Sequence, residues 1–279
     1  MLRQRVITAL VLLALLLPAL AADSPVPFAL FSLVLISAAG WEWARLNGFA
    51  AAVPALASGA LLAALCGLSL LRLPQMGQAG GLWWAGTVAW GLGSVVALRR
   101  GPAGWPKLAP ALRWALGLAL LWLAWLALAQ ARTIGVNFLL STLCVVWAAD
   151  ISAYFAGRAF GKRKLAPTIS PGKSWEGVYG GVAGVLLLGL GWLWLDAQFA
   201  FDSPSLFLLL RQRLGYGGLL LAALLLTALS VVGDLFESLV KRAAGAKDSS
   251  QLLPGHGGVL DRVDALLPVL PAALALISL

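Results

Sequence analysis

The chain has 279 residues, of which 61% are hydrophobic and only 11% charged. A soluble domain carries about 25% charged residues, so this composition excludes one. The formal net charge of +9 raises nucleic acid as a partner, but the placement of the charges excludes it in favour of membrane topology.

Apolar runs recur at the length of roughly 17–25 residues that crosses a bilayer. In chain order they lie near Val6–Ala22, Pro27–Trp43, Val53–Leu71, Gly80–Leu98, Leu112–Ala129, Ile134–Phe155, Trp175–Leu195 and Gly217–Val240, with a shorter run at Ala265–Leu279. Backbone groups in lipid must be satisfied internally, so the reading is an all-α, polytopic membrane bundle of about eight to nine helices. No alternating ten-residue barrel pattern is present. Arg3 and Arg5, then Val6–Leu17, then Ala19-Leu20-Ala21 have the layout of a cleavable signal peptide. An uncleaved first span is expected, because the charge pattern continues through every later loop.

With the N-terminus cytoplasmic and the loops alternating, 16 of the 20 Lys and Arg fall on the cytoplasmic side, including Arg45, Arg99, Arg100, Lys107 and Arg158. Only Arg72, Arg132, Arg211 and Arg213 fall opposite. That is the positive-inside distribution, and it also favours contact with anionic lipid heads. Cys66 and Cys144 lie in apolar spans and read as small buried hydrophobes, not a disulfide.

The chain divides by chemistry near Ile134. Residues 1–133 form a Leu/Ala/Trp-rich membrane scaffold, nearly free of acid except Glu42, with tryptophans near span ends as interfacial anchors. Residues 134–279 carry acids in their spans and polar cytoplasmic loops, and read as the catalytic membrane domain. Gly177/Gly181 and Gly180/Gly184 form overlapping GxxxG pairs, a pattern equally expected from close helix packing and from ordinary glycine enrichment.

Four segments carry candidate chemistry. Asp150, Tyr154 and Arg158 fall at i, i+4 and i+8 on one helical face, and an acid within a span faces a polar cavity. Gly172-Lys173-Ser174 resembles the end of a phosphate loop, but Pro167 replaces the required glycine and no strand is expected before it. A helix start there still offers N–H groups and one cation to a phosphate. Asp234, Glu237, Ser238 and Lys241 form one polar stripe at a helix end, followed by Arg242. Lys247-Asp248 leads to Pro254-Gly255-His256-Gly257-Gly258, a flexible loop, and then to Asp261, Arg262 and Asp264.

The carboxylates of Asp234, Asp261 and Asp264 suit Mg²⁺, whereas one His and no clustered Cys argue against zinc. Metal-binding acids, several cations and a glycine loop at a membrane surface fit phosphoryl or nucleotidyl transfer to a lipid. Structural readings compete: an Asp150–Arg158 tie, a closed salt-bridge network around Asp234, or a His256 that merely hydrogen-bonds its loop.

The pattern Ser238-x2-Lys241-Arg242-x4-Lys247-Asp248-x5-Pro254-x-His256-Gly257-Gly258-x2-Asp261-Arg262-x-Asp264 resembles the signature of the phosphatidate cytidylyltransferase (CDP-diacylglycerol synthase) family. So do Asp150–Arg158, SPGKSWEG at Ser170–Gly177 and the opening MLRQRVITALVLL. The resemblance implies an integral membrane enzyme that joins CTP and phosphatidic acid, requires Mg²⁺, forms CDP-diacylglycerol and pyrophosphate, and allows a homodimer. On that basis Asp234 and Asp261 hold the metal, with Glu237, Asp264 and Asp248 as further ligands or supports. Lys241, Arg242, Lys247, Arg262 and Lys173 contact phosphates, and His256 positions or protonates pyrophosphate. Asp150, Tyr154, Ser174, Ser238, Gly257 and Gly258 complete the substrate surface. The expected setting is a bacterial cytoplasmic (inner) membrane with the site facing the cytoplasm. Two rivals are a lipid-alcohol kinase using CTP, which would release CDP, and an ion-coupled transporter built on Asp150 and Asp234.

Overall fold

A computed structural model describes residues 2–49, 51–73 and 79–279, the side chains of residues 2 and 3 excepted. Met1 and the Arg3 side chain, both used above, therefore lie outside the described residues. Eight helices are long and apolar enough to cross a membrane. They are α1 (Leu2–Ala21), α2 (Val26–Leu46), α3 (Ala52–Leu70), α4 (Gly80–Arg100), α5 (Pro110–Ile134), α6 (Val136–Phe160), α7 (Trp175–Gln198) and α8 (Leu206–Ala243). Two short helices follow, α9 (Leu260–Val263) and α10 (Leu266–Ile277). The eight expected spans match these eight helices, and their lipid-facing surfaces keep large apolar side chains such as Leu10, Val34, Leu92 and Leu187 exposed.

Two elements depart from the simple span reading. At 38 residues α8 would be about 57 Å long, nearly twice the ~30 Å hydrocarbon thickness. A kink at Gly215 (φ 69°) breaks it and leaves Tyr216–Ala243 as the spanning part. The last apolar run folds as α10, only 12 residues or roughly 18 Å, too short to cross. Instead it is almost wholly buried, packed against α4, α5 and α8 as the core of the bundle.

The GxxxG glycines of α7 face α6, the most extensive helix pair in the molecule. A side-chain carbon at Gly181 would lie 3.0 Å from the Ala149 carbonyl oxygen, and one at Gly184 would lie 2.0 Å from Ser152 Oγ. Backbones this close need glycine, so the pattern here is a packing device.

The end of the bundle away from the 161–174 and 244–259 loops is closed by its own polar network. Asp202 accepts the first N–H groups of α6 from Val136 (2.5 Å) and Asn137 (3.0 Å). Asn137 Nδ2 donates to Asp196 (2.9 Å), and Trp192 Nε1 donates to Asn137 Oδ1 (2.8 Å). Asp196 and Asp202 are thereby used structurally, as helix ends require.

Candidate active site

Between α6 and α7 the chain forms an antiparallel hairpin, β1 (Lys164–Ala166) with β2 (Ser170–Ser174), in register Lys164 to Ser174 and Ala166 to Ser170. Glu176 in the first turn of α7 anchors it, accepting from Lys162 N (3.1 Å), Arg163 N (3.2 Å) and Arg163 Nε (3.2 Å). The sequence reading missed this hairpin, because its strands are short and β2 contains Pro171 and Gly172, both rare in strands. It changes the role of Ser174, expected on the substrate surface. Ser174 is buried, and its Oγ accepts from Gly177 N (3.2 Å) as the N-cap of α7.

The hairpin carries Lys173 onto α8, where Nζ pairs with Asp234 Oδ2 at 2.5 Å. Lys173 and Asp234 line a cavity of about 500 Å³ together with Asp150, Tyr154 and Arg158 of α6. The i, i+4, i+8 face of α6 thus opens into this cavity as its spacing required, and Arg158 Nη1 donates to Tyr154 Oη at 3.3 Å rather than tying to Asp150. Ser238 Oγ donates to Asp234 Oδ1 at 3.3 Å. The cavity therefore joins acids, two cations and an open aromatic, and its size is that of a small-molecule site, typically ~300–1,000 Å³.

A second cluster lies one turn further along α8. Lys241 Nζ bridges Glu237 Oε2 and Asp261 Oδ1, each at 2.5 Å. Asp261 Oδ2 accepts from Ser249 N, Ser249 Oγ and Gly258 N, all at 2.9 Å. Burial pushes the Asp261 carboxyl up, but these donors and the Lys241 ammonium outweigh it and hold the group below the usual carboxylate range. Gly255 and Gly257 turn the 254–258 loop with φ of 77° and 85°, a region that favours glycine. The Arg262 guanidinium closes that loop by donating from Nε to the His256 carbonyl at 3.0 Å. Arg242 reaches Ala246 O (3.2 Å) and Ile169 O (3.4 Å), linking α8 to the hairpin turn. His256 Nδ1 is buried with no partner among the described residues. Lys247 and Asp248 are exposed.

The four carboxylates expected to hold a metal do not converge. Among the described residues no group of three or more His, Cys, Asp or Glu side chains is placed to bind one ion. Glu237 and Asp261 are committed to Lys241. Asp234 is committed in the same way to Lys173 (2.5 Å), whereas Asp264 has no cation partner among the described residues. Among the described residues the Asp264 side chain accepts only from its neighbour Ala265 N (2.8 Å). Burial, and then the nearby Asp234 charge, push its carboxyl above the usual carboxylate range. Two acids in Coulombic reach with hard oxygen donors are a chemistry a divalent cation relieves. Asp264 fits such an ion together with Asp234 once Lys173 turns to another partner, whereas Glu237 and Asp261, both held by Lys241, fit it poorly.

One residue that braces the site was given no role in the sequence reading. Glu42 on α2 is 0% exposed. Its Oε1 accepts from Ser250 Oγ (2.5 Å) and Val259 N (2.9 Å), and its Oε2 from Ser249 Oγ (3.1 Å) and Leu260 N (2.8 Å). The scaffold half thus holds both ends of the loop that Asp261 holds from within. Arg5 Nε and Thr8 Oγ1 of α1 also donate to the carbonyls of Gly255 (2.9 Å) and Pro254 (3.0 Å). The signal for Glu42 was present, since a lone acid in an otherwise acid-free apolar half needs a buried partner.

Residues 3–279 match the model of the cytidylyltransferase family. The chain is similar to phosphatidate cytidylyltransferase of Pseudomonas aeruginosa, 42% identical over 285 residues that cover 99% of this chain and 97% of the relative. It is also similar to the enzymes of that name from Haemophilus influenzae (51% over 137 residues, 49% of this chain and 44% of the relative) and Bacillus subtilis (40% over 146 residues, 52% and 49%). An eight-span bundle with an acid- and lysine-lined cavity at one end agrees with that match: the chain belongs to the cytidylyltransferase family.

Proposed function

We propose that this protein transfers the cytidylyl group of CTP to phosphatidate, forming CDP-diacylglycerol and pyrophosphate. The observation that carries the reading is the cavity where Lys173, Arg158, Asp234 and Asp150 meet at one end of a membrane bundle. It offers cations for a triphosphate, and its wall is formed by helices that run into the bilayer, where the acyl chains of a lipid substrate can remain. We place it in a bacterial cytoplasmic membrane with the cavity facing the cytoplasm, in keeping with the 16-to-4 division of basic residues and the cytosolic supply of CTP.

Lys173 and Arg158 bind the phosphates. Lys173 exchanges its internal partner Asp234 for nucleotide, which leaves Asp234 free. Asp234 and Asp264 would hold Mg²⁺, with Asp150 lining the same cavity as Asp234. When bound, the ion neutralises the triphosphate and stabilises the charge that develops on the leaving group. A phosphate oxygen of phosphatidate attacks the α-phosphorus of CTP. The bond from that phosphorus to the α–β bridging oxygen breaks, and pyrophosphate leaves with the electron pair. The nucleophile is already anionic at neutral pH, so no strong base is required. Lys241, Glu237 and Asp261 act by fixing the 249–261 segment against α8. His256 lies on that segment and Arg262 directly follows it; in this reading His256 donates to pyrophosphate.

Purified protein in mixed micelles with phosphatidic acid, Mg²⁺ and α-labelled CTP tests this. Label should enter the lipid phase with an equal amount of pyrophosphate. Release of CDP with terminal-phosphate transfer would instead establish a kinase, and absence of labelled lipid from folded protein would refute the proposal.

A further inference from the structure

A second cavity lies on the other side of α8. It is an apolar groove of about 390 Å³ between α4 and α5, and no residue lines both it and the polar cavity. Phe236 forms part of its inner wall, while Asp234 lines the polar cavity. Two residues apart on a helix is about 200°, so the two cavities flank α8 on opposite faces. On α4 the lining runs from Ala89 to Arg100, and on α5 Leu112, Leu116 and Leu120 form the facing stripe. The eleven residue-to-residue rises from Ala89 to Arg100 measure about 16 Å, close to one leaflet of a ~30 Å hydrocarbon layer. Arg100 stands at the rim, at the same end of the bundle as the polar cavity, with Arg99 beside it and Lys107 in the adjoining turn. Among the described residues none of the three makes an ion pair.

We propose that this groove is a second, non-catalytic lipid site that takes one acyl chain of an anionic glycerophospholipid, with the phosphate at Arg100. Depth fits one chain of one leaflet, the lining is apolar apart from Ser94, whose hydroxyl donates to the Trp90 carbonyl, and its only charged residue is Arg100, at headgroup level. The occupant touches Phe236, whose ring packs on Trp43, Trp90 and Trp105 at 5.3–6.2 Å between centroids. A lipid there supports the back of the α8 turn that presents Asp234 and Glu237.

The test is lipid retention, which does not depend on the cytidylyl-transfer reading. Full-length protein in detergent is titrated with dioleoyl phosphatidylglycerol or dioleoyl phosphatidylcholine, and bound lipid is counted by native mass spectrometry. Wild type should retain one phosphatidylglycerol in preference to phosphatidylcholine. Gly93→Trp fills the groove from α4, where a side-chain carbon would meet nothing within 4 Å; Leu116→Trp fills it from α5, should either variant fail to fold. Each should reduce retention about tenfold. Arg100→Gln should reduce it about fivefold, as one basic residue near an anionic head does. Lys173→Ala should leave it unchanged. Normal retention by both tryptophan variants would overturn the proposal. So would equal retention of phosphatidylcholine, loss of lipid in Lys173→Ala (the lipid then sits in the polar cavity), or a dimer dissociated by Gly93→Trp with no lipid lost (a second copy then covers the groove).

Discussion

Replacing Glu42 with Gln should unfasten the 249–260 loop without unfolding the bundle. Each carboxylate oxygen accepts from one hydroxyl and one backbone N–H: Oε1 from Ser250 and Val259, Oε2 from Ser249 and Leu260. An amide nitrogen in either place leaves one buried backbone N–H facing another donor. The serine hydroxyl can rotate to accept, but the backbone cannot. An orphaned buried donor costs about 1–3 kcal/mol, so local opening of the loop becomes roughly 5–150-fold more frequent. Glu42→Ala orphans both N–H groups, for about 2–6 kcal/mol. Hydrogen exchange followed by mass spectrometry on peptides spanning 249–260 reads this directly. The expected result is faster exchange there, unchanged exchange in α6 and α7, and lower turnover. Unchanged exchange in that peptide for Glu42→Gln would refute the reasoning, as would equal acceleration throughout the chain.

Lys173→Ala should lower kcat/KM for CTP about 10–150-fold, the effect of losing a charged hydrogen bond of about 1.5–3 kcal/mol, and steady-state kinetics at saturating lipid checks it. Asp234→Asn should raise the Mg²⁺ concentration needed for half-maximal activity. Asp261→Asn should instead abolish activity at every Mg²⁺ level and speed exchange in the 249–258 segment, since its oxygens hold Lys241 and that loop. A metal titration of both variants separates these outcomes. Reporters fused after Gly104 and after Lys247 should report the same side of the membrane, and opposite sides would contradict the topology.

Much of the architecture is local and therefore readable from sequence. Span lengths depend on consecutive apolar residues, so all eight long helices match expected runs. The Asp150–Tyr154–Arg158 face follows from helical period alone. The polar stripe of α8 was visible too, but its division was not. Asp234 turns to Lys173 while Glu237 turns to Lys241, because the partners come from a hairpin and a loop whose positions are tertiary facts. The hairpin itself left no strand signal at Pro171-Gly172. Glu42 meets partners 207–218 residues away, and one sequence gives no means to pair them. Whether the last apolar run crosses was not legible from composition, since a helix buried in protein and one buried in lipid are equally apolar.

The Glu42 clasp also bears on how the protein is made. At ~5–20 residues per second, α2 is synthesised some 10–40 s before the segment that completes its hydrogen bonds. During that interval an acidic side chain sits near the end of a nascent span with no acceptor role filled; at the bilayer centre such a group costs about 2.5–3.5 kcal/mol. Its place near the exit end of α2 lets water solvate it while the remaining spans are inserted. The clasp can close only after all eight long helices have been synthesised, so the loop beside the site gains its hold on the first half of the chain late in biogenesis.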